Sequence, residues 1–423
     1  MSKDEENKTV NQTQDDEAMR QRMEERKAAR AEQKKAQQAK KEKRDVAKKK
    51  LGLVVTIALG VIVILSLLFL MAQSLGNVTF SRISDGIVQT FSNMKPGPGY
   101  PLSVGKNNVL RTEAYGDNLV VLKNDRVVLL NSTAKELMAY QHTFSSPRLS
   151  VSSGRILLGD SKTGRYAVLS GSGMLYEGDL ENDIYCCAVA NNGNYAFSTK
   201  STKSASLVSF YAGKDNKKLF DFKCSDEYII GISFSSNGKR AALIGVGTKD
   251  AADYSKLYII SLTDEKILSE FTYDGMRLHT VFYSDPHTVV TAFKNGYSIV
   301  KNEKTRKDKL LGGGSISHFA VDSSGSFALA VNGYSDEAGS TVCAFDSKGN
   351  ERFSVDLTCK VNCFDFRDGC IAAAGSDGKI HLISSANEKS NKTAVPKTEA
   401  ESIIVIKKTV YSLGNGTIER IKF

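Results

Sequence analysis

The 423-residue chain predicts an all-β fold, a β-propeller of eight blades, set behind a single transmembrane helix and a basic N-terminal arm that is helical or disordered. Three observations lead there. Leu51 to Ala72 is a run of 22 residues without a charge, about 30 Å long as a helix and so able to span the hydrocarbon core of a bilayer. Downstream, a strand, a polar turn with glycine and a second apolar strand recur as CCAVANNGNYAFST from 186, ISFSSNGKRAALIG from 232, FAVDSSGSFALAV from 319 and CFDFRDGCIAAAG from 363. Third and fourth strands then follow, as in SLVSFYA with KKLFDFK, KLYIISL with KILSEF, and TVCAFDS with ERFSVDL.

The arm comes first. Residues 1–50 carry 16 basic and 11 acidic residues. Residues 1–17 hold no core-forming residue and are expected to be disordered. Ala18 to Lys50 lacks Gly and Pro, which favours helix, but has no apolar stripe for a coiled coil. Nine of the 20 residues before the apolar run are Lys or Arg, whereas Gln73 to Ser92 holds only Arg82. That bias keeps the basic flank in the cytoplasm and sends the rest outside. A cleaved secretory signal ending near Ala72-Gln73-Ser74 is the competing reading. It would need a short charged region and an apolar run of about 7–15 residues, unlike the segments here. The arm is expected to meet anionic lipid headgroups near Lys40–Lys50. Nucleic acid is the weaker expectation, because the arm has no aromatic residue on which a base could stack.

After the span, Phe80, Ile83, Ile87, Val88 and Phe91 recur at helical spacing and predict a short amphipathic helix. Lys95-Pro96-Gly97-Pro98-Gly99-Tyr100-Pro101 ends it. The expected domains are therefore 1–50 arm, 51–72 transmembrane helix, 73–100 juxtamembrane helix and linker, and 101–423 propeller.

Within the propeller the turn glycines Gly193, Gly238, Gly325 and Gly369 stand 45, 87 and 44 residues apart. The doubled interval hides one more unit, VFYSDPHTVVTAF from 281, with Asp285-Pro286 as its turn. Four strands in about 40 residues is the pattern of a propeller blade. Inner strands are expected to start near Arg111, Pro147, Ile184, Ile229, Arg277, Ile316, Lys360 and Ser402. Seven blades is the alternative count, because the first two units are short. The last unit ends with three strands, and an extended segment within Pro101 to Leu110 is available to supply the fourth and close the ring.

Residues that could carry chemistry are sparse. The histidines at 142, 279, 287, 318 and 381 are scattered, none at i, i+4 from another and none beside a second ligand-type residue at metal spacing. They read as surface or packing residues, with His142 and His318 the candidates for facing a central channel. Gly312-Gly313-Gly314 lacks the Gly-Lys-Ser/Thr of a phosphate loop and reads as a connection between blades. Asp160, Asp183, Asp285 and Asp346 recur at strand ends, where carboxylates close turns. The cysteines number seven, and none of their spacings makes a zinc site. Cys186 and Cys187 are neighbours in a strand, on opposite faces, while Cys343, Cys359, Cys363 and Cys370 read as small buried residues without a disulfide framework. The sequence assigns no catalytic residue, cofactor or metal. The absence of Trp argues against a quinone-cofactor dehydrogenase propeller.

The apolar span, Gly97-Pro98-Gly99-Tyr100-Pro101, Tyr140-Gln141-His142, Ser146-Pro147 and Gly154-Arg155 together resemble an uncharacterised family of membrane-anchored propellers of clostridial bacteria, domain of unknown function 5711. The resemblance implies a propeller outside the cytoplasmic membrane and no activity. The function expected is a non-enzymatic scaffold of the cell envelope that binds a protein or wall component. The alternatives are an envelope hydrolase or lyase working in the channel, and a one-pass sensor that relays ligand binding to the arm.

Overall fold

The computed structural model describes residues 96–423 except 336 and 337, and, before them, Thr56, Leu59, Gly60, Ile62, Val63 and Ser66, all six helical and exposed. Among the described residues no helix is long and apolar enough to cross a membrane. Apart from those six positions, the arm, the span expected at 51–72 and the amphipathic helix expected at 80–91 lie outside the described residues.

Among the described residues, eight four-stranded antiparallel sheets follow one another in sequence. The second strand of each blade shows why they must stack. In Asn118–Lys123 of blade 1 every residue is buried, and successive side chains point to opposite faces. Leu119 and Val121 pack towards blade 8 with Ile404 and Tyr411, while Val120 and Leu122 pack towards blade 2 with Ile156 and Leu158. The remaining apolar clusters fill the other junctions in the same way, so the core is a set of layers between blades. A sheet apolar on both faces cannot stand alone in water.

Inner strands start at Val109, Pro147, Ile184, Tyr228, Leu278, Gly314, Val361 and Ser402, within two residues of the expected positions. The alternative of seven blades falls, because Val109–Gln141 and Pro147–Asp179 are each a complete sheet. The four repeat glycines all sit in inner-hairpin turns with positive φ, at 94°, 64°, 81° and 71°, a conformation that glycine enters without strain. Asp285-Pro286 turns blade 5 as expected, with Asp285 paired to Thr288.

Blade 8 has three strands of its own, Ser402–Ile406, Thr409–Gly414 and Thr417–Ile421, and takes its fourth from Leu102–Ser103. Leu102 pairs with Ile418 and Ser103 with Thr417. The segment before this strand is already part of the closure. Gly97 N–H donates to Thr133 Oγ1 (2.9 Å) and Gly99 N–H to the Thr133 carbonyl (2.9 Å). A Cβ on Gly97 would lie 2.3 Å from the Lys135 nitrogen, so no larger residue fits without moving that backbone. The Tyr100 ring meets Tyr411 of blade 8 edge-on at 5.0 Å, and its hydroxyl donates to the Asn131 carbonyl of blade 1 (3.1 Å). One side chain thus joins the first and last blades.

Replacing Tyr100 should therefore cost more than its partial exposure suggests. Tyr100→Ala is expected to lower the unfolding free energy by about 2–4 kcal/mol and Tyr100→Phe by about 1 kcal/mol, measured by urea unfolding followed by circular dichroism. A loss under about 0.5 kcal/mol for the alanine variant would show that this motif lies on the ring without holding it.

Candidate functional site: one mouth of the central channel

Hydrogen bonds between neighbouring inner strands fix the channel wall. The Ser150 hydroxyl accepts from Val189 N–H (3.2 Å), Ser233 from Tyr283 N–H (3.2 Å) and the Asp365 carboxylate from Val405 N–H (2.6 Å). Farther out, Ser206, Ser255 and Ser340 accept from the N–H of Ile229, Leu278 and Val361, each in the next blade, at 2.9–3.2 Å. These bonds hold the inner strands of blades 3, 4, 5, 7 and 8 against the blade before each.

Six inner strands carry an extra, unpaired residue at the same place near their start: Leu110, Tyr185, Ile230, His279, Ser317 and Asn362. A bulge re-aims a side chain, and the inner strand has no hydrogen-bonded neighbour on its axial side. Leu110 is 50% exposed and Ile230 38%, and Tyr228 beside it is 52% exposed. The Tyr185 and Tyr228 rings meet edge-on at 5.9 Å. The mouth on the face of the inter-blade loops is therefore apolar across blades 1, 3 and 4 and polar across blades 5 to 7. His318, next to the bulge in blade 6, places Nε2 3.0 Å from the Asn362 carbonyl. Burial lowers the pKa of His318, against that carbonyl's pull, and lowers that of His279 together with Arg277.

A hairpin rises on the same face. The second and third strands of blade 4, Arg240–Lys249 and Ala252–Ser261, are 10 residues each; their counterparts in other blades have four to seven. Glu227, in the loop leading into blade 4, holds this hairpin from below. Its buried carboxylate accepts from the hydroxyls of Tyr258 (2.7 Å) and Tyr254 (2.9 Å) and the thiol of Cys224 (3.0 Å), with Lys256 Nζ at 3.2 Å. Burial works to raise the Glu227 pKa, but the four donors outweigh it and hold it below the usual range.

The opposite mouth, lined by the inner-hairpin turns, opens a cavity of about 700 Å³ whose lining is mixed polar and apolar. Three of its four carboxylates, all but Asp368, have partners in turns or ion pairs. Asp285 accepts from His287 N–H (2.8 Å), Asp322 from Ser324 N–H (2.8 Å) and Ser326 N–H (3.1 Å), and Asp117 pairs with Lys407 at 2.6 Å.

The expected residues divide. His318 is on an inner strand and half-buried, but His142 is not a channel residue: it follows the outer strand of blade 1, is 8% exposed and packs against Phe144. Asp160, Asp285 and Asp346 accept backbone N–H groups as turn-closing carboxylates do, whereas Asp183 lends its carbonyl to Lys200. Gly312 and Gly313 lie between blades 5 and 6. All seven cysteines carry free thiols. The reading of the histidines fails at His381: Asp377, four residues earlier, and Cys359, from the loop between blades 6 and 7, converge on its Nε2. The hairpin, Glu227 and its donors, and the bulged channel residue His279 were missed. The one signal was a buried-type carboxylate between Cys224 and a run of tyrosines, which has no fixed spacing to search for.

The segment that closes the ring, with the blades and the mouth it positions, falls within one family match. The chain belongs to the family of unknown function DUF5711, whose model matches residues 89–423. No curated protein is similar to the chain in sequence. Among solved structures it is similar to Sqt1 of Saccharomyces cerevisiae, with 12% identity, TM-score 0.55, and coverage of 76% of this chain and 97% of that one. The computationally designed Ika8 protein gives 11% identity, TM-score 0.55, and 76% and 98% coverage. BamB from Moraxella catarrhalis gives 10% identity, TM-score 0.49, and 76% and 100% coverage. At these identities the likeness is one of fold alone.

Asp365 is the group in the channel wall expected to respond to pH. Burial, opposed by the Val405 amide and Arg367, pushes its pKa up to about 6. A carboxyl whose folded pKa exceeds its unfolded value contributes stability below the unfolded pKa, near 4, that is lost as pH rises through the folded value. The difference in unfolding free energy between the native chain and Asp365→Asn should therefore change by about 2 kcal/mol between pH 4 and 6.5, the native chain losing ground as pH rises. Parallel pH profiles for the two proteins would contradict this.

Proposed function

We propose that the propeller is a non-enzymatic binding platform of the cell envelope, anchored by the apolar segment 51–72 with its basic flank in the cytoplasm, and that it recognises a protein partner at the channel mouth on the inter-blade-loop face. One observation carries the reading: Leu110 of blade 1 and Tyr228 and Ile230 of blade 4 stay exposed on inner strands at this mouth, the latter two at the foot of a hairpin held by Glu227. Exposed aromatic and aliphatic side chains on a rigid frame are the usual anchors of a protein interface. The anchor is supported by the length of the uncharged run and the one-sided distribution of Lys and Arg around it. Engagement of Asp117, Asp285 and Asp322 in turn bonds and ion pairing favours binding over hydrolysis at the other mouth.

The test is crosslinking of the full-length protein in its own membranes, with capture and mass spectrometry. A partner recovered with the native chain should be lost from Tyr228→Glu/Ile230→Glu and retained by a control such as Lys348→Glu, in an exposed turn. Undiminished recovery by the double variant would overturn the assignment of this mouth.

A further inference from the structure

We propose that Cys359, Asp377 and His381 form a binding site for one zinc ion. Three parts of blade 7's surroundings supply them. Cys359 lies in the loop that enters the blade, Asp377 in the turn between its second and third strands, and His381 in the third strand, Ile380–Ile383. The loop position is one the fold reuses: Cys359 stands three residues before the bulge at Asn362, as Glu227 stands three before the bulge at Ile230. In each blade the facing strand carries a glycine paired just before the bulge, Gly245 opposite Ile229 and Gly375 opposite Val361; a Cβ on Gly245 would lie 2.7 Å from Glu227 Cβ, and one on Gly375 2.4 Å from Cys359 Sγ and 2.5 Å from Asp377 Oδ1. Blade 4 fills its slot with tyrosine and lysine donors. Blade 7 fills its slot with thiol, imidazole and carboxylate.

The spacing of the donor atoms supports a metal. Cys359 Sγ is 3.7 Å from His381 Nε2, and Nε2 is 3.3 and 3.4 Å from the two Asp377 oxygens. A tetrahedral zinc with ordinary bond lengths places its sulfur and nitrogen ligands about 3.5 Å apart and its nitrogen and oxygen ligands about 3.4 Å apart. Among the described residues this is the one group of three such donors within 4.8 Å of one another. Thiolate, imidazole and carboxylate together are the donor set that zinc takes over magnesium or calcium. Cys359 is buried, His381 is half-buried and Asp377 is exposed. A cavity of about 430 Å³, lined by residues 375–378 and 396–399, opens beside Asp377 and leaves the fourth position to water or to a donor from a partner. Binding releases the Cys359 thiol proton to solvent as the sulfur–zinc bond forms. Asp377 is also held by the Lys379 N–H (3.1 Å), which fixes the carboxylate before the metal arrives.

The experiment uses the purified full-length chain and cobalt(II) as a coloured stand-in for zinc. One equivalent should bind and give a near-ultraviolet thiolate-to-cobalt band that one equivalent of zinc removes. Cys359→Ser should abolish the band. His381→Ala and Asp377→Asn should weaken zinc binding by about 100-fold or more, since even outer-shell changes cost 10- to 100-fold. Asp377 is in an exposed turn, so its variant reports on binding with the fold intact, and zinc should raise the melting temperature of the native chain but not of Cys359→Ser. Absence of saturable binding at one equivalent, or a band that persists in Cys359→Ser, would overturn the site.

Discussion

Leu102 and Ser103 hydrogen-bond to the strand Thr417–Ile421, and through that pairing a row of eight sheets becomes a ring. Without it the last sheet would end in an open edge, and the layer between blades 8 and 1 would lose Leu102 and Val104 from its apolar cluster. Every other layer depends on the same condition, because each blade is apolar on both faces and needs a neighbour on each side. The Gly97-to-Tyr100 segment adds the bonds to Thr133 and Asn131 and the Tyr411 contact. Closure is thus built from backbone pairing, a close approach that only glycine permits, and one bridging tyrosine.

The architecture was legible because it repeats. A turn glycine every 40 residues or so, followed by alternating apolar residues, leaves few alternatives to blades, and the inner strands fell within two residues of their expected starts. Closure was legible for a different reason: a last unit one strand short needs a donor, and the extended segment after Tyr100 was free to serve. The bulges were not legible, because one extra residue changes neither composition nor period. Nor was the blade 4 hairpin, whose turn is Asp250-Ala251, both at positive φ, where a glycine would have been the recognisable sign. The Glu227 and Cys359 clusters escaped because each joins the loop entering a blade to the second hairpin of that same blade, about 20–30 residues on, at spacings that only the pairing of that sheet brings together.

The two faces of the ring have been put to different uses. Inner-hairpin turns crowd one face, and their Asp and Ser side chains are spent on closing those turns. Inter-blade loops form the other, where Gly245 and Gly375 in second strands leave slots for the loop side chains Glu227 and Cys359. Glu227 uses its slot to stiffen a projecting hairpin, Cys359 uses the same slot to meet His381 and Asp377, and between them the bulged inner strands expose Tyr228 and Ile230. The rigidity of the ring keeps these features at fixed separations while leaving their identities free to vary.

Native-state hydrogen exchange, read strand by strand, tests closure most directly. If the pairing of Leu102–Ser103 with Thr417–Ile421 makes the ring one cooperative unit, the amides of blades 1 and 8 will exchange with the same opening free energy as those of blades 3 to 6. Exchange in blade 8 that is faster by several kcal/mol, with the interior blades still protected, would show a stack that frays from its ends, and closure would then not be the constraint that holds the structure together.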